Sequence, residues 1–186
     1  MKKFELTSET KINIFGKKLF RIKALISFAD VEAGETGGWV EKEGNVNQSD
    51  DAWVSGNAEV SGNAWVSGNA KVSGNAKVYG DAEVSGNAKV YGNAKVSGNA
   101  KVYGNAKVSG DAEVYGNADY TTIHGFGTQF RTTTFFRCKD KKVRVACGCF
   151  FGTIPEFREQ VKNTRKGKIA EEYLMIADLM EKHFEK

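Results

Sequence analysis

His124, Cys138, Cys147 and Cys149 are the residues of this chain that could together hold a zinc ion, since imidazole and thiolate are the usual ligands of a tetrahedral site. The Cys147-Gly-Cys149 spacing argues against it. Two thiols on one strand suit a tetrahedron poorly unless a turn intervenes, and small thiols are commonly plain core residues. No metal and no cofactor are therefore expected. A different chemistry is suggested by lysine. Lys71, Lys89 and Lys107 recur at intervals of 18, with Tyr91 beside the second of them. Ammonium groups brought into line would attract a phosphate or an acidic chain, with the tyrosine placed to stack on a base. The ordinary alternative is that they splay into water and keep the surface soluble. No catalytic constellation stands out, and no residue is assigned a catalytic role.

The elements that position these lysines follow from a six-residue repeat. From Ala52 to Asp119 the chain reads Ala-x-Val-x-Gly-Asn almost without error, with Asn or Asp at every sixth position from 57 to 117. Six is not a helical period, and Val with Gly in every unit disfavours a helix. A three-residue strand with a tight corner fits instead. Ala and Val then point inward, the residue between them points outward, and Gly-Asn turns the chain. Such a unit cannot bury its apolar side alone, but it can when stacked on its neighbours. Inward Asn and Asp ladders are expected to add hydrogen bonds between coils.

The Val-x-Gly-Asn-Ala-x pattern resembles the hexapeptide repeat of left-handed parallel β-helices, in which three hexads make one triangular coil. The resemblance implies about four coils from Ala52 onward. It also turns the 18-residue spacing into columns: Trp53, Lys71, Lys89 and Lys107 on one flank; Glu59, Lys77, Lys95 and Glu113 on the next; Trp65, Glu83, Lys101 and Asp119 on the third. Trp53 and Trp65, large and outward, are expected to be oligomer or cap contacts. The wider set "LFRIKAL", "GETGGWVEKEGNV", "NAWVSGNA" and "VACGCFFGTIPEFREQV" resembles hexapeptide-repeat proteins of phages and prophages.

The end pieces read as caps for the open strand edges. "KINIFGKKLFRIKAL" suggests a hairpin turning at Gly16-Lys17-Lys18, and Trp39-Val40 a degenerate first coil. "TQFRTTTFFRC" and "KKVRVACGCF" suggest strands, with Val143, Val145, Cys147 and Cys149 on one face. Pro155 suits the first turn of a helix capped by Thr153, and a second helix after Gly167 carries an apolar stripe from Ile169 to Phe184. The expected fold is mainly β, a left-handed parallel β-helix (a triangular solenoid) with an N-terminal β-hairpin cap and a C-terminal α+β cap. Its units are an N-terminal hairpin and lead-in (1–38), the β-helix (39–123) and C-terminal strands and helices (124–186).

Charge is concentrated at one end. Residues 120–186 hold 13 Lys and Arg against 8 Asp and Glu, whereas the rest of the chain is close to neutral. The basic end is interleaved with acids and has no arginine cluster, so neither a nucleic acid nor a membrane is an expected partner. The three cysteines and an N-terminus without an apolar run point to a reducing, cytoplasmic location. In the family that the repeat resembles, carbonic anhydrases need three histidines, and this chain has His124 and His183 alone. Acyltransferases use a histidine base beside the coils, for which His124 is the candidate. The uninterrupted hexads leave no loops to shape an acyl-donor site. The resulting expectation is a non-enzymatic, oligomeric binding protein of a phage or prophage, acting in the infected or lysogenic bacterial host. It is expected to form a homotrimer and to grip a host or phage protein, or to sequester an anionic, nucleotide-like small molecule. The alternative is an acyltransferase.

Overall fold

The computed structural model describes residues 2–185. β1 (Phe4–Ile12) and β2 (Lys18–Ala24) form an antiparallel hairpin, and β3 (Thr36–Val40) pairs antiparallel with β2. The hairpin turn runs through Asn13–Lys17 rather than the expected Gly16-Lys17-Lys18, since Lys18 is already the first residue of β2. Asn13 fixes it by accepting hydrogen bonds at Oδ1 from the amides of Phe15 and Lys17, both at 2.9 Å. Eleven two-residue strands then follow at six-residue intervals, β4 (Trp53–Val54) to β14 (Glu113–Val114).

These strands wind about four times into a parallel β-solenoid. Val54, Val72, Val90 and Val108 pair in register on one face. Val40, Val60, Val78, Val96 and Val114 do so on a second. Val66, Val84 and Val102 form the third, which Val46 joins by a bridge to Val66. Every repeat valine from Val54 to Val114 is fully buried, and so are the alanines between them. Each such valine contributes about 1.5–3 kcal/mol of burial, so the thin core is stabilised by repetition rather than by bulk. Backbone amides donate to the coil above at regular spacing, as in Ser73 N to Val90 O at 2.9 Å.

At the corners the glycines adopt left-handed backbone, for example Gly86 with φ +66°, and neighbouring coils approach closely there. A Cβ on Gly86 would meet the amide nitrogen of Gly104 at 2.9 Å, so strain and contact both select glycine. The following Asn and Asp side chains do form ladders, as in Asn69 to Asn87 at 2.9 Å and Asn93 to Asp111 at 3.1 Å. They sit on the exposed corners, not inside as expected, because the interior at each corner is already filled by Ala and Val.

Both ends are closed. At the first coil the buried Lys3 donates through Nζ to the carbonyls of Asp50 and Ala52, each at 2.7 Å, which satisfies acceptors the missing previous coil would have used. Burial lowers the pKa of its ammonium. At the last coil the chain leaves the solenoid at Tyr120, a few residues before the boundary expected at 123. It enters an antiparallel sheet of β15 (Tyr120–Phe126), β16 (Arg131–Arg137), β17 (Val143–Cys147) and β18 (Phe150–Thr153). Alternation along β16 splits its two phenylalanines. Phe136 joins Tyr120, Cys138 and Ala146 on the solenoid core. Phe135 joins Val145 and the helices α1 (Ile154–Thr164) and α2 (Gly167–Phe184) on the other side. The expected stripe of α2 thus packs on the sheet, through Tyr173, Ile176, Ala177, Met180 and Phe184. Thr153 caps α1, with Pro155 in its first turn. Cys149 is not on the strand with Val143, Val145 and Cys147. It lies exposed in the turn after Gly148, whose φ of +61° ends β17.

A candidate anion-binding flank

The middle residue of each strand points away from the buried Ala and Val, so the column Trp53–Lys71–Lys89–Lys107 lies in register on one outer flank. Its members differ in environment. Trp53 is buried beneath Phe28 and Phe4, with ring centroids 5.5 and 6.2 Å away. It is a contact of the N-terminal cap and presents no free surface. Lys71 is ion-paired with Asp30, and this contact holds the Asp30 carboxyl below its usual range, with Lys89 adding to the effect. Lys89 is exposed and Lys107 half-buried. Among the described residues neither makes an ion pair.

The other two flanks are compensated. On one, Glu59 lies 2.8 Å from Lys11 and 3.4 Å from Lys77, and Glu113 lies 3.2 Å from Lys95. On the third, Glu83 lies 3.0 Å from Lys101. Trp65 is there too, 44% exposed. Lys89 and Lys107 are therefore neighbours on adjacent coils with no carboxylate between them. At a coil spacing of about 4.8 Å two like charges repel by about 1 kcal/mol in water, and more near the protein surface. A bound anion would remove that cost.

The flank continues onto the C-terminal cap. The Lys107 amide donates to Thr134 Oγ1 at 3.0 Å, which docks β16 against the last coil. A cleft of about 610 Å³ opens beside it, with Lys107, Asn105, His124, Arg131 and Thr132 among its lining residues. Arg131 has no ion-pair partner among the described residues. His124 is exposed on β15, its Nδ1 3.3 Å from Thr132 Oγ1. The basic strip thus comprises Lys89, Lys107 and Arg131, with the His124 ring at its edge. Tyr91 is 38% exposed at the adjoining corner, in the column of Ser73 and Ser109.

The lysines singled out in the sequence are therefore brought together, with Tyr91 adjoining. Trp53 is removed from the site by the cap, and Trp65 lies on another flank. Sequence reasoning missed Asp30, which neutralises the first lysine, and Arg131, which extends the strip. Strand alternation in "FRTTTFF" would place Arg131 on one face of β16, but nothing in the sequence says that this end of the strand lies beside Lys107. Among the described residues no group of three His, Cys, Asp or Glu side chains could hold a metal ion. Cys138 is buried, which pushes its thiol up to about 11, and Cys149 is exposed. No helix of the described residues is long and apolar enough to cross a membrane.

Compared with known proteins, the chain matches no family model and has no significant match among curated proteins.

Proposed function

We propose that the protein is a non-enzymatic binding protein whose solenoid flank holds an anionic, nucleotide-like ligand. The observation that carries this reading is the charge asymmetry of the three flanks. Two neutralise their lysines with in-register glutamates, whereas Lys89 and Lys107 have none and run on to Arg131. A di- or triphosphate spanning two coils would neutralise the pair, and Tyr91 offers a ring for the base. Lys71 contributes less than the sequence implied, because Asp30 already occupies it.

Assembly into a homotrimer, and a phage or prophage origin, are part of this proposal and rest on the hexapeptide resemblance. Trp65 and Tyr103, 44% and 61% exposed, are the aromatic groups suited to a subunit or protein contact. The acyltransferase alternative would require His124 as base. Its ring lies against Thr132, and no carboxylate among the described residues orients it.

Native mass spectrometry of freshly purified protein tests the reading. The parent chain is expected to retain an anionic adduct that K89E/K107E lacks. Retention of the same adduct by the variant would place the ligand elsewhere.

A further inference from the structure

A second, separate cavity lies inside the C-terminal cap, between the β15–β16 turn, the β17–β18 turn and the last turn of α1. Its volume is about 90 Å³, room for several waters or for one anionic head group, and it is partly open, so that an attached flat body would extend out through its mouth. Phe157, Val161 and Tyr173 line it and are buried, and Phe150 adds a half-buried ring. Two guanidiniums, Arg131 and Arg165, stand at the same cavity, and no carboxylate lines it. Among the described residues neither arginine makes an ion pair. The Arg165 guanidinium donates to the carbonyl of the adjacent Thr164 at 3.2 Å. Gln160 adds an amide at the rim.

Gly127 lines the cavity, and Gly148, which lines the neighbouring cleft, makes room for the Arg131 side chain. A Cβ on Gly148, which has φ +61°, would meet Arg131 Nη1 at 2.5 Å. One on Gly127, which has φ +70°, would meet the Tyr173 hydroxyl at 2.6 Å. Each turn thus leaves out a side chain where Arg131 or Tyr173, both lining the cavity, lies against its backbone. The Tyr173 hydroxyl is further held by donating to Phe126 O at 3.1 Å. Two uncompensated guanidinium forks over an apolar floor are the chemistry that recognises an anionic head on an apolar body.

We infer that this cavity is a binding site for a small organic anion, a carboxylate or phosphate carried on a flat apolar body, held by Arg131 and Arg165 over Phe157 and Tyr173. Carboxylate and phosphate share the head-group chemistry, and the test separates them. The site is distinct from the lysine flank, although Arg131 borders both, so Arg165 is the discriminating residue.

Calorimetric titration of the full chain with benzoate, phenyl phosphate and inorganic phosphate is the direct test. At least one aromatic anion is expected to bind saturably, and which one identifies the head group. R165Q, at an exposed helix end and checked for an unchanged melting temperature, should weaken that binding about tenfold. K89Q/K107Q, which brings no carboxylate next to Arg131, should leave it within about twofold, which separates this site from the flank. No saturable binding of either aromatic anion overturns the inference, and so does an affinity unchanged by R165Q, which would make Arg165 only a helix cap. Inorganic phosphate binding as tightly as phenyl phosphate would overturn the apolar floor. A readout without variants uses Cys147, which lines the cavity. The binding anion should slow its alkylation, followed by mass spectrometry, and an unslowed rate contradicts the placement.

Discussion

Val90 sits in the middle of a column with Val54, Val72 and Val108 and is fully buried. V90D would place a carboxylate in a dry core with no partner, at a cost of about 3 kcal/mol or more. A thermal melt like that of the parent would contradict the register. A second residue-scale prediction concerns acid. Glu41 accepts from the Gly62 amide at 2.7 Å and lies 3.4 Å from Lys17, and the amide contact lowers its pKa below the usual carboxylate value. Because the folded pKa is the lower one, the stabilisation is complete above the unfolded value of about 4.3. It is lost as pH falls through the folded pKa. The difference in melting temperature between the parent and E41Q should therefore be largest at neutral pH and close below about pH 4. The contribution is about 1 kcal/mol or less, since the carboxylate is partly exposed. A difference independent of pH would remove the charge from the account. Inward valines and outward lysines were legible in the sequence because a period of six fixes the facing of every strand. Asp30 and Arg131 were not, because both come from irregular segments whose approach to the flank depends on how the caps dock.

At the scale of elements, the two caps protect the solenoid by different means. The N-terminal cap covers Trp53 with Phe4 of β1 and Phe28 of the segment after β2 and satisfies open carbonyls with Lys3, whereas the C-terminal sheet lays Phe136 and Tyr120 on the last coil. W53A should thus behave as a core truncation, costing about 3–5 kcal/mol in chemical denaturation. W65K, on a flank exposed in the single chain, should stay within about 0.5 kcal/mol of the parent when both are compared as dissociated chains. Equal effects of the two changes would contradict the difference in burial. The hairpin, the solenoid, the Thr153 cap and the stripe of α2 were all readable from period and capping signals. The four-stranded sheet was read only in part. β15 was missed because "DYTTIHGFG" has weak alternation. The Cys-Gly-Cys spacing mimics strand alternation, but the left-handed Gly148 turns the chain and leaves Cys149 outside β17.

The whole molecule is a rod of parallel coils with glutamate-paired lysines on two flanks and, on the flank of Lys71, two lysines, Lys89 and Lys107, that make no ion pair among the described residues, closed at each end by a non-repeating cap. Repetition explains this shape, since each coil's inner residues and ladder bonds are satisfied by the next. It also explains why function was less legible than fold. The same hexad serves on all three flanks, and only the choice of Lys or Glu at the outer position distinguishes them. If Trp65 is a subunit contact, as the proposed assembly has it, W65K should sediment as a smaller species with its β content unchanged. A profile identical to the parent's would exclude that contact.

The central claim is that Lys89 and Lys107 form an anion site because, among the described residues, neither makes an ion pair, Asp30 being paired with Lys71. Its most direct test is calorimetric titration of the parent and of K89E/K107E with a panel of nucleoside triphosphates and cyclic oligonucleotides, at low and at moderate salt. The account predicts saturable binding of at least one of them to the parent, weakening steeply as salt rises, and its loss in a variant that melts like the parent. Binding that survives the double substitution, or a parent that binds no anion of the panel at any salt concentration, would contradict it.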